Sequence, residues 1–301
     1  MTKPNSIVPC LWMTDQAEAA VAQYLKVFPG GRIVATSHYP ERRDNPSGRP
    51  PGSVLTVEFE IMGVRFTALN GGPVFAPNPT VSFFVHADDE AHVDRMVKGL
   101  AEGGKMLMEL GTYPWSKRYG WVQDRWGVSW QVMVNDVSGD DAKIAPAIMF
   151  SGDVQGRAEE AMKLWTTLFP GGRIDALSPY PPGGEAKGVM HGRIHVMGTR
   201  LVAFDSHISH GVKFDEGISL QITCKDQAEI DRVWSAIVAN GGQEVQCGWA
   251  KDRFGFNWQV VPESMVTLMT VGTPESQARV FDAMMPMKKL DVAKLEAAAR
   301  G

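Results

Sequence analysis

"DRFGFNWQVV" at Asp252–Val261 repeats "DRWGVSWQVM" at Asp124–Met133, with Asp, Arg, Gly, Trp, Gln and Val at the same places. Each phrase sets a turn, Asp-Arg-x-Gly, before a short run of strand-forming residues. Side chains alternate across a strand, so Trp258 and Val260 share one face while Asn257, Gln259 and Val261 share the other. The apolar Trp/Val face suits packing under helices. Gln131 and Gln259 then point to the opposite, concave side.

The rest of the chain repeats with the same spacing. "FPGGRI" stands at Phe28–Ile33 and again at Phe169–Ile174, and "MGVRFTALN" (Met62–Asn70) answers "MGTRLVAFD" (Met197–Asp205). Val93-Asp94-Arg95 answers Ile230-Asp231-Arg232, and each is followed by a glycine pair, Gly103-Gly104 and Gly241-Gly242. A fixed self-similarity of this kind marks a duplicated unit. The first copy is read as residues 6–136, the second as 143–262, with a helical tail over 263–301. The first copy carries two extra loops rich in turn formers, "ERRDNPSGRPPGS" and "LGTYPWSKRYGW".

Period resolves each copy into elements. In the second, "KIAPAIMF" predicts a strand, and "RAEEAMKLWTTLF" a helix stopped by Pro170-Gly171-Gly172. "RIDALSPY" predicts a strand, and "MHGRIHVMG" and "TRLVAFDS" a hairpin turning at Gly198. The pattern then restarts: strand "ISLQITC", a helix capped by Asp226 and ended by Gly241-Gly242, and strands "QEVQCGWAKDR" and "NWQVVP". Each copy is therefore β-α-β-β-β twice over, an α+β fold. In the tail, Thr273 with Pro274 and Asp291 predict two helix starts.

Composition limits the function classes. The chain has 301 residues, 44% hydrophobic and 21% charged, with formal net charge −4. No dense Lys/Arg run points to nucleic acid or an anionic membrane. "MTKPNSIVPCLWM" lacks the apolar core of a secretory signal, and no stretch approaches the roughly 20 apolar residues that span a bilayer. Cys10, Cys224 and Cys247 have no short metal-binding spacing, which favours a reduced, cytoplasmic setting.

Paired modules closed by "DRFGFNWQVVP", together with "PCLWMTDQAEAAVAQYLKVFPGGRI", "ALNGGPVF" and "QAEIDRVWSAIVANGG", resemble the vicinal oxygen chelate superfamily of glyoxalase I, extradiol dioxygenases and bleomycin-resistance proteins. Within it they are similar to the PhnB-like branch, described as 3-demethylubiquinone-9 3-methyltransferase-like. The resemblance implies two tandem glyoxalase/bleomycin-resistance-like domains with curved mixed sheets, forming a pseudo-dimer within one chain, with a further homo-oligomer left open. It also implies a divalent metal held by His and Glu on the first and last strands of the modules. Residue by residue, those places fall on Gln131 and Gln259, on Ser82 and Ser219, near Pro9 and Pro146, and near Leu69 or Asn70 and Phe204 or Asp205. An uncharged amide is a poor replacement for a carboxylate ligand.

Alternation instead gives a cavity of neutral hydrogen-bonding groups and aromatics: Ser82, Phe84 and His86 in the first copy, Ser219, Gln221 and Thr223 in the second, with Gln131 and Gln259. The expected ligand site is Ser82, His86, Gln131, Ser219, Gln221 and Gln259, suited to a small organic molecule without the usual metal set. Alternatives are an enzyme with a non-standard divalent metal site, for which Asp205, His207 and His210 are the candidates, or ubiquinone-pathway methyl transfer. Other signals read as structural. His191 and His195 sit on the order of 13 Å apart along a strand, where the first copy has Thr56 and Glu60 in place of them and Glu58 in place of Arg193. Cys247 has no neighbouring base to form a thiolate. Tyr119 with His86 is a weaker acid/base pair. The glycine pairs end helices, whereas a cofactor fingerprint opens one.

Overall fold

The computed structural model describes residues 7–41, 48–134 and 143–301. The start of the first repeat at residue 6, its end at 135–136 and residues 42–47 of its proline-rich loop lie outside the described residues. The first repeat runs β1 (Ile7–Met13), α1 (Ala17–Val27), β2 (Arg32–His38), β3 (Val54–Ile61) and β4 (Val64–Asn70), then β5 (Val81–Ala87), α2 (Glu90–Leu100), β6 (Lys105–Tyr113), β7 (Ser116–Gln123) and β8 (Ser129–Val134). The second runs β9 (Ile144–Phe150), α3 (Ala158–Leu168), β10 (Arg173–Pro179), β11 (Val189–Val196) and β12 (Thr199–Asp205), then β13 (Ile218–Cys224), α4 (Gln227–Ala239), β14 (Gln243–Glu244), β15 (Trp249–Lys251) and β16 (Asn257–Pro262). The tail forms α5 (Met265–Thr270), α6 (Pro274–Met284) and α7 (Val292–Arg300). Among the described residues no helix is long and apolar enough to cross a membrane.

The strands form two eight-stranded mixed sheets, ordered β14-β15-β16-β13-β1-β4-β3-β2 and β10-β11-β12-β9-β5-β8-β7-β6. Each sheet takes one module from each repeat. The seams are antiparallel, β1 with β13 and β5 with β9, so the halves form an intramolecular pseudo-dimer. The connectors between the modules of one repeat carry the chain from sheet to sheet. They are tied together where Asn78 Nδ2 donates to Asp215 Oδ2 at 3.0 Å.

One face of each sheet joins a single core. Phe66 of β4 and Phe83 of β5 meet across the two sheets with centroids 5.1 Å apart, and Phe83 lies 5.1 Å from Trp130. The other faces curl inward. Thr67 of β4 and Gln221 of β13 hydrogen-bond at 2.9 Å with β1 between them, although flat strands two apart would lie roughly 9.5 Å apart.

The duplicated phrase holds this core together. Asp252, buried, accepts from the backbone N–H of Phe254 (2.9 Å) and Phe256 (3.1 Å), from Trp258 Nε1 (3.1 Å) and from Trp165 Nε1 of α3 (2.8 Å). Asp124 accepts from Trp126 N, Val128 N, Trp130 Nε1 and Tyr24 Oη of α1 in the same way. The glycine of the turn has φ +89° at Gly127 and +81° at Gly255, a left-handed conformation that disfavours side chains. One carboxylate thus shapes the turn, orients the core tryptophan and binds a helix of the repeat's other module.

The helix starts match their caps. Asp226 accepts from Glu229 N, Thr273 from Ser276 N and Asp291 from Lys294 N. "QEVQCGWAKDR" differs from a continuous strand: only Gln243–Glu244 and Trp249–Lys251 pair. Cys247 between them has φ +59°, and the N–H groups of Cys247 and Gly248 donate to Met287 O (2.7 Å) and Lys288 O (2.8 Å) of the tail. The first repeat has the long β6–β7 hairpin at this place. The tail fills the gap in the second repeat. Its Met269, Val280, Phe281, Leu290 and Leu295 form a second apolar cluster with Tyr39 and Leu55, against which Leu69 and Val261 pack.

Replacing either carboxylate by an amide leaves a buried N–H facing donors. D252N and D124N are each expected to lower stability by on the order of 3 kcal/mol in urea unfolding. A loss well under 1 kcal/mol would show that apolar packing alone sets the turn.

Candidate functional site

Strand register places corresponding residues of the two curled faces at the same points. On the first sheet, Glu58 lies opposite Thr67, Thr67 opposite Cys10 and Cys10 opposite Ser219. On the second, Arg193 lies opposite Val202, Val202 opposite Ala147 and Ala147 opposite Ser82. The expected site residues therefore separate into two groups: Ser219, Gln221 and Gln259 on the first sheet, and Ser82, His86 and Gln131 on the second.

The first-sheet group is a closed chain of hydrogen bonds. Gln259 Nε2 donates to Ser219 Oγ at 2.7 Å, and Gln221 Nε2 donates to Gln259 Oε1 at 3.0 Å. Thr67 Oγ1 lies 2.9 Å from Gln221 Oε1 and 2.8 Å from Glu58 Oε1. A threonine hydroxyl has one proton to give. With Glu58 protonated, its carboxyl donates to Thr67 and Thr67 donates to Gln221, so every link has one donor. Burial pushes the Glu58 carboxyl from its ordinary 4.5 up to about 7, which agrees with that proton count. Cys10 sits beside Gln259 and Ser219, and burial pushes its thiol up to about 12, so it stays a thiol. Cys247, whose thiol burial also raises, contacts Met284 and Met285 of the tail.

On the second sheet, Gln131 Nε2 donates to Ser82 Oγ at 2.9 Å and Gln131 Oε1 accepts from Tyr119 Oη at 2.7 Å. Tyr119 stands where the second repeat has Cys247, and burial raises its phenol. The β6–β7 hairpin supplies it with aromatic neighbours. Tyr113 lies edge-on at 5.3 Å, and Trp115, 55% exposed, lies edge-on at 5.7 Å. Phe84 meets the His191 ring edge-on at 5.9 Å from three strands away, so the sheet closes over this face. Burial, then the charges of Arg193 and Arg200, hold His191 below its ordinary value. His86 is half-buried on the same face as Ser82 and Phe84.

The positions expected near Pro9, Asn70 and Asp205 serve the scaffold. Alternation sends Pro9 to the core side with Ile7 and Leu11, and Cys10 takes its place on the curled face. Asn70 Oδ1 accepts from Ala17 N at the start of α1 (2.9 Å). Asp205 does the same for α3, accepting from Gly156 N (2.7 Å) and Ala158 N (3.2 Å), with Val189 N on its other oxygen (2.7 Å). His210 instead contacts Ser206 Oγ at 2.8 Å, and His207 lies edge-on to Tyr180. Asp205, His207 and His210 are thus not brought to one point. Among the described residues no three His, Cys, Asp or Glu side chains gather to hold a metal ion. The matched positions do not fit a divalent ion either: with Ala147 taking the place of Pro146 and Asp205 engaged at α3, the second sheet offers Ala147 and Phe204 with Ser82 and Gln131, and the first offers a chain whose polar groups already satisfy one another.

Glu58, Thr67, Cys10 and Arg193 enter the sites from the other repeat. Alternation orients the expected residues of β5, β8, β13 and β16, whereas the pairing of modules across repeats, which brings in Glu58, Thr67, Cys10 and Arg193, is not visible in the spacing.

A family model described as 3-demethylubiquinone-9 3-methyltransferase matches residues 5–133 and again 142–261. The chain belongs to this family. The family match falls twice, once on each repeat, as the duplication requires. Among solved structures, the chain is similar to a putative 3-demethylubiquinone-9 3-methyltransferase, PhnB protein, from Bacillus cereus, with 31% identity, 45% of this chain and 100% of that chain covered, and a TM-score of 0.39. It is also similar to glyoxalase I from Zea mays, with 12% identity, coverage of 84% and 90%, and a TM-score of 0.57. That likeness shows a shared glyoxalase fold across both repeats. No curated protein sequence matches the chain.

The Glu58 proton makes this family member's stability depend on pH. The folded state keeps the proton where the unfolded chain loses it. The stability from this group is complete below about pH 4.5, falls as pH rises to about 7 and stays low above that. A glutamine in place of Glu58 would preserve the donor without the titration. The advantage of E58Q over wild type in denaturant is expected to grow by on the order of 3 kcal/mol between pH 5 and pH 8. An advantage independent of pH would mean that Glu58 is ionised throughout.

Proposed function

We propose that this protein binds a small organic molecule on the curled face of the second sheet, without a resident metal. The observation that carries this is the neutral chain Tyr119–Gln131–Ser82, set beside the Phe84–His191 aromatic pair. A few fixed polar groups within apolar and aromatic walls are the usual make-up of a small-molecule site. The first sheet is a poorer candidate. Its hydrogen-bonded chain runs on from Gln259 through Gln221 and Thr67 to Glu58, where the second-sheet chain stops at Ser82, and the tail packs on Leu69 and Val261 of the same face. The two sheets would then have divided their work, one curled face kept for ligand and the other used to seat the tail.

The test is a fragment library screened by NMR against wild type, Q131L and Q259L. Hits are expected to weaken about tenfold or more in Q131L, the cost of one or two buried hydrogen bonds, and to be unchanged in Q259L. Hits sensitive to Gln259 alone would move the site to the first sheet. A blank screen would count against ligand binding.

A further inference from the structure

The duplication allows each residue of one curled face to be compared with its counterpart on the other. Glu58 and Arg193 occupy the same point, opposite Thr67 and Val202 respectively. The charge is reversed there, and so is its treatment. Glu58 is buried and hydrogen-bonded to Thr67, and burial pushes its carboxyl up to about 7. Arg193 faces valine, is half-buried, and has no hydrogen-bond or ion-pair partner among the described residues. Asp175, on the neighbouring strand, is engaged by Arg173 and His195. A guanidinium cannot shed its charge by titration, so a half-buried one is left requiring an anion.

Two further groups on the same face are unanswered. Trp121 Nε1, beside Gln131 in the register, is shielded from solvent without an acceptor. Ser129 Oγ is fully buried without a partner, in line with Ser82, Ala147, Val202 and Arg193 across the sheet. Arg and Trp only donate, and Ser can donate. A face with surplus donors, small floor residues and the Phe84–His191 ring pair calls for a ligand with a delocalised anionic end and a flat apolar body.

We infer that the second-sheet site takes small aromatic carboxylates, with Arg193 receiving the carboxylate. This rests on the binding site proposed above. A bidentate guanidinium–carboxylate pair is among the stronger polar contacts and is geometrically selective.

The test compares benzoate with benzamide, and 2-naphthoate with its amide, by saturation-transfer NMR and titration of the full chain. Wild type is expected to bind each acid at least tenfold more tightly than its amide. R193M should bring acid and amide within about twofold by weakening the acid alone, and R193K should retain part of the preference. R193M without ligand should unfold no more easily than wild type, because an unpartnered cation is removed. Equal binding of acid and amide by wild type, loss of both alike in R193M, or no binding of either acid overturns the assignment. Neutral library hits that depend on Gln131 and ignore Arg193 would overturn it while leaving the small-molecule reading intact. A library blank for every variant would remove that reading as well.

Discussion

Two buried carboxylates, Asp124 and Asp252, hold the molecule together. Each is surrounded by four donors: two backbone N–H groups of its own turn, the indole of the tryptophan six residues on, and a ring from a helix of the repeat's other module. Burial holds these carboxyls above their ordinary value, and the donors offset only part of that rise. Because the two modules of a repeat lie in different sheets, each carboxylate also joins the sheets. The last strand can place Gln131 or Gln259 on the curled face only once the turn has fixed which side Trp130 or Trp258 takes.

Much of this could be read from the sequence, for a physical reason. Strand alternation acts locally, so the orientations of Gln259, Ser219 and Gln221 follow from their own neighbours. Helix caps at Asp226, Thr273 and Asp291 are equally local. The pairing of modules was harder to read, because the phrases of the two repeats are too alike to show which module joins which. Cys10, Thr67 and Glu58 therefore reach the first-sheet site through contacts that local pattern does not encode. The broken strand around Cys247 is a similar case, since its hydrogen bonds go to tail residues about 40 positions away. Asp205 was the most misleading signal. Near two histidines it suggests a ligand, yet its oxygens are occupied by backbone N–H groups at the start of α3.

The two curled faces show how a duplicated scaffold separates its roles. On the first, polar side chains satisfy one another, burial raises the Glu58 carboxyl and the tail packs against a shortened hairpin. On the second, the hairpin remains and brings Tyr119 and its aromatic neighbours to Gln131. A face whose groups are mutually satisfied gains little from a ligand. One that leaves donors unanswered gains more, since an unpaired buried polar group costs roughly 1–3 kcal/mol. This difference, more than the shared glyoxalase fold, underlies the functional reading, because fold alone does not fix chemistry.

The most direct test of that division of roles is a crystal structure of the full chain soaked with a binding aromatic carboxylate. The account predicts density for one ligand on the second sheet, beside the Phe84–His191 pair and within hydrogen-bond reach of Arg193, with the first sheet still covered by the tail. Ligand density beside Gln259 on the first sheet, with the tail displaced, would contradict it.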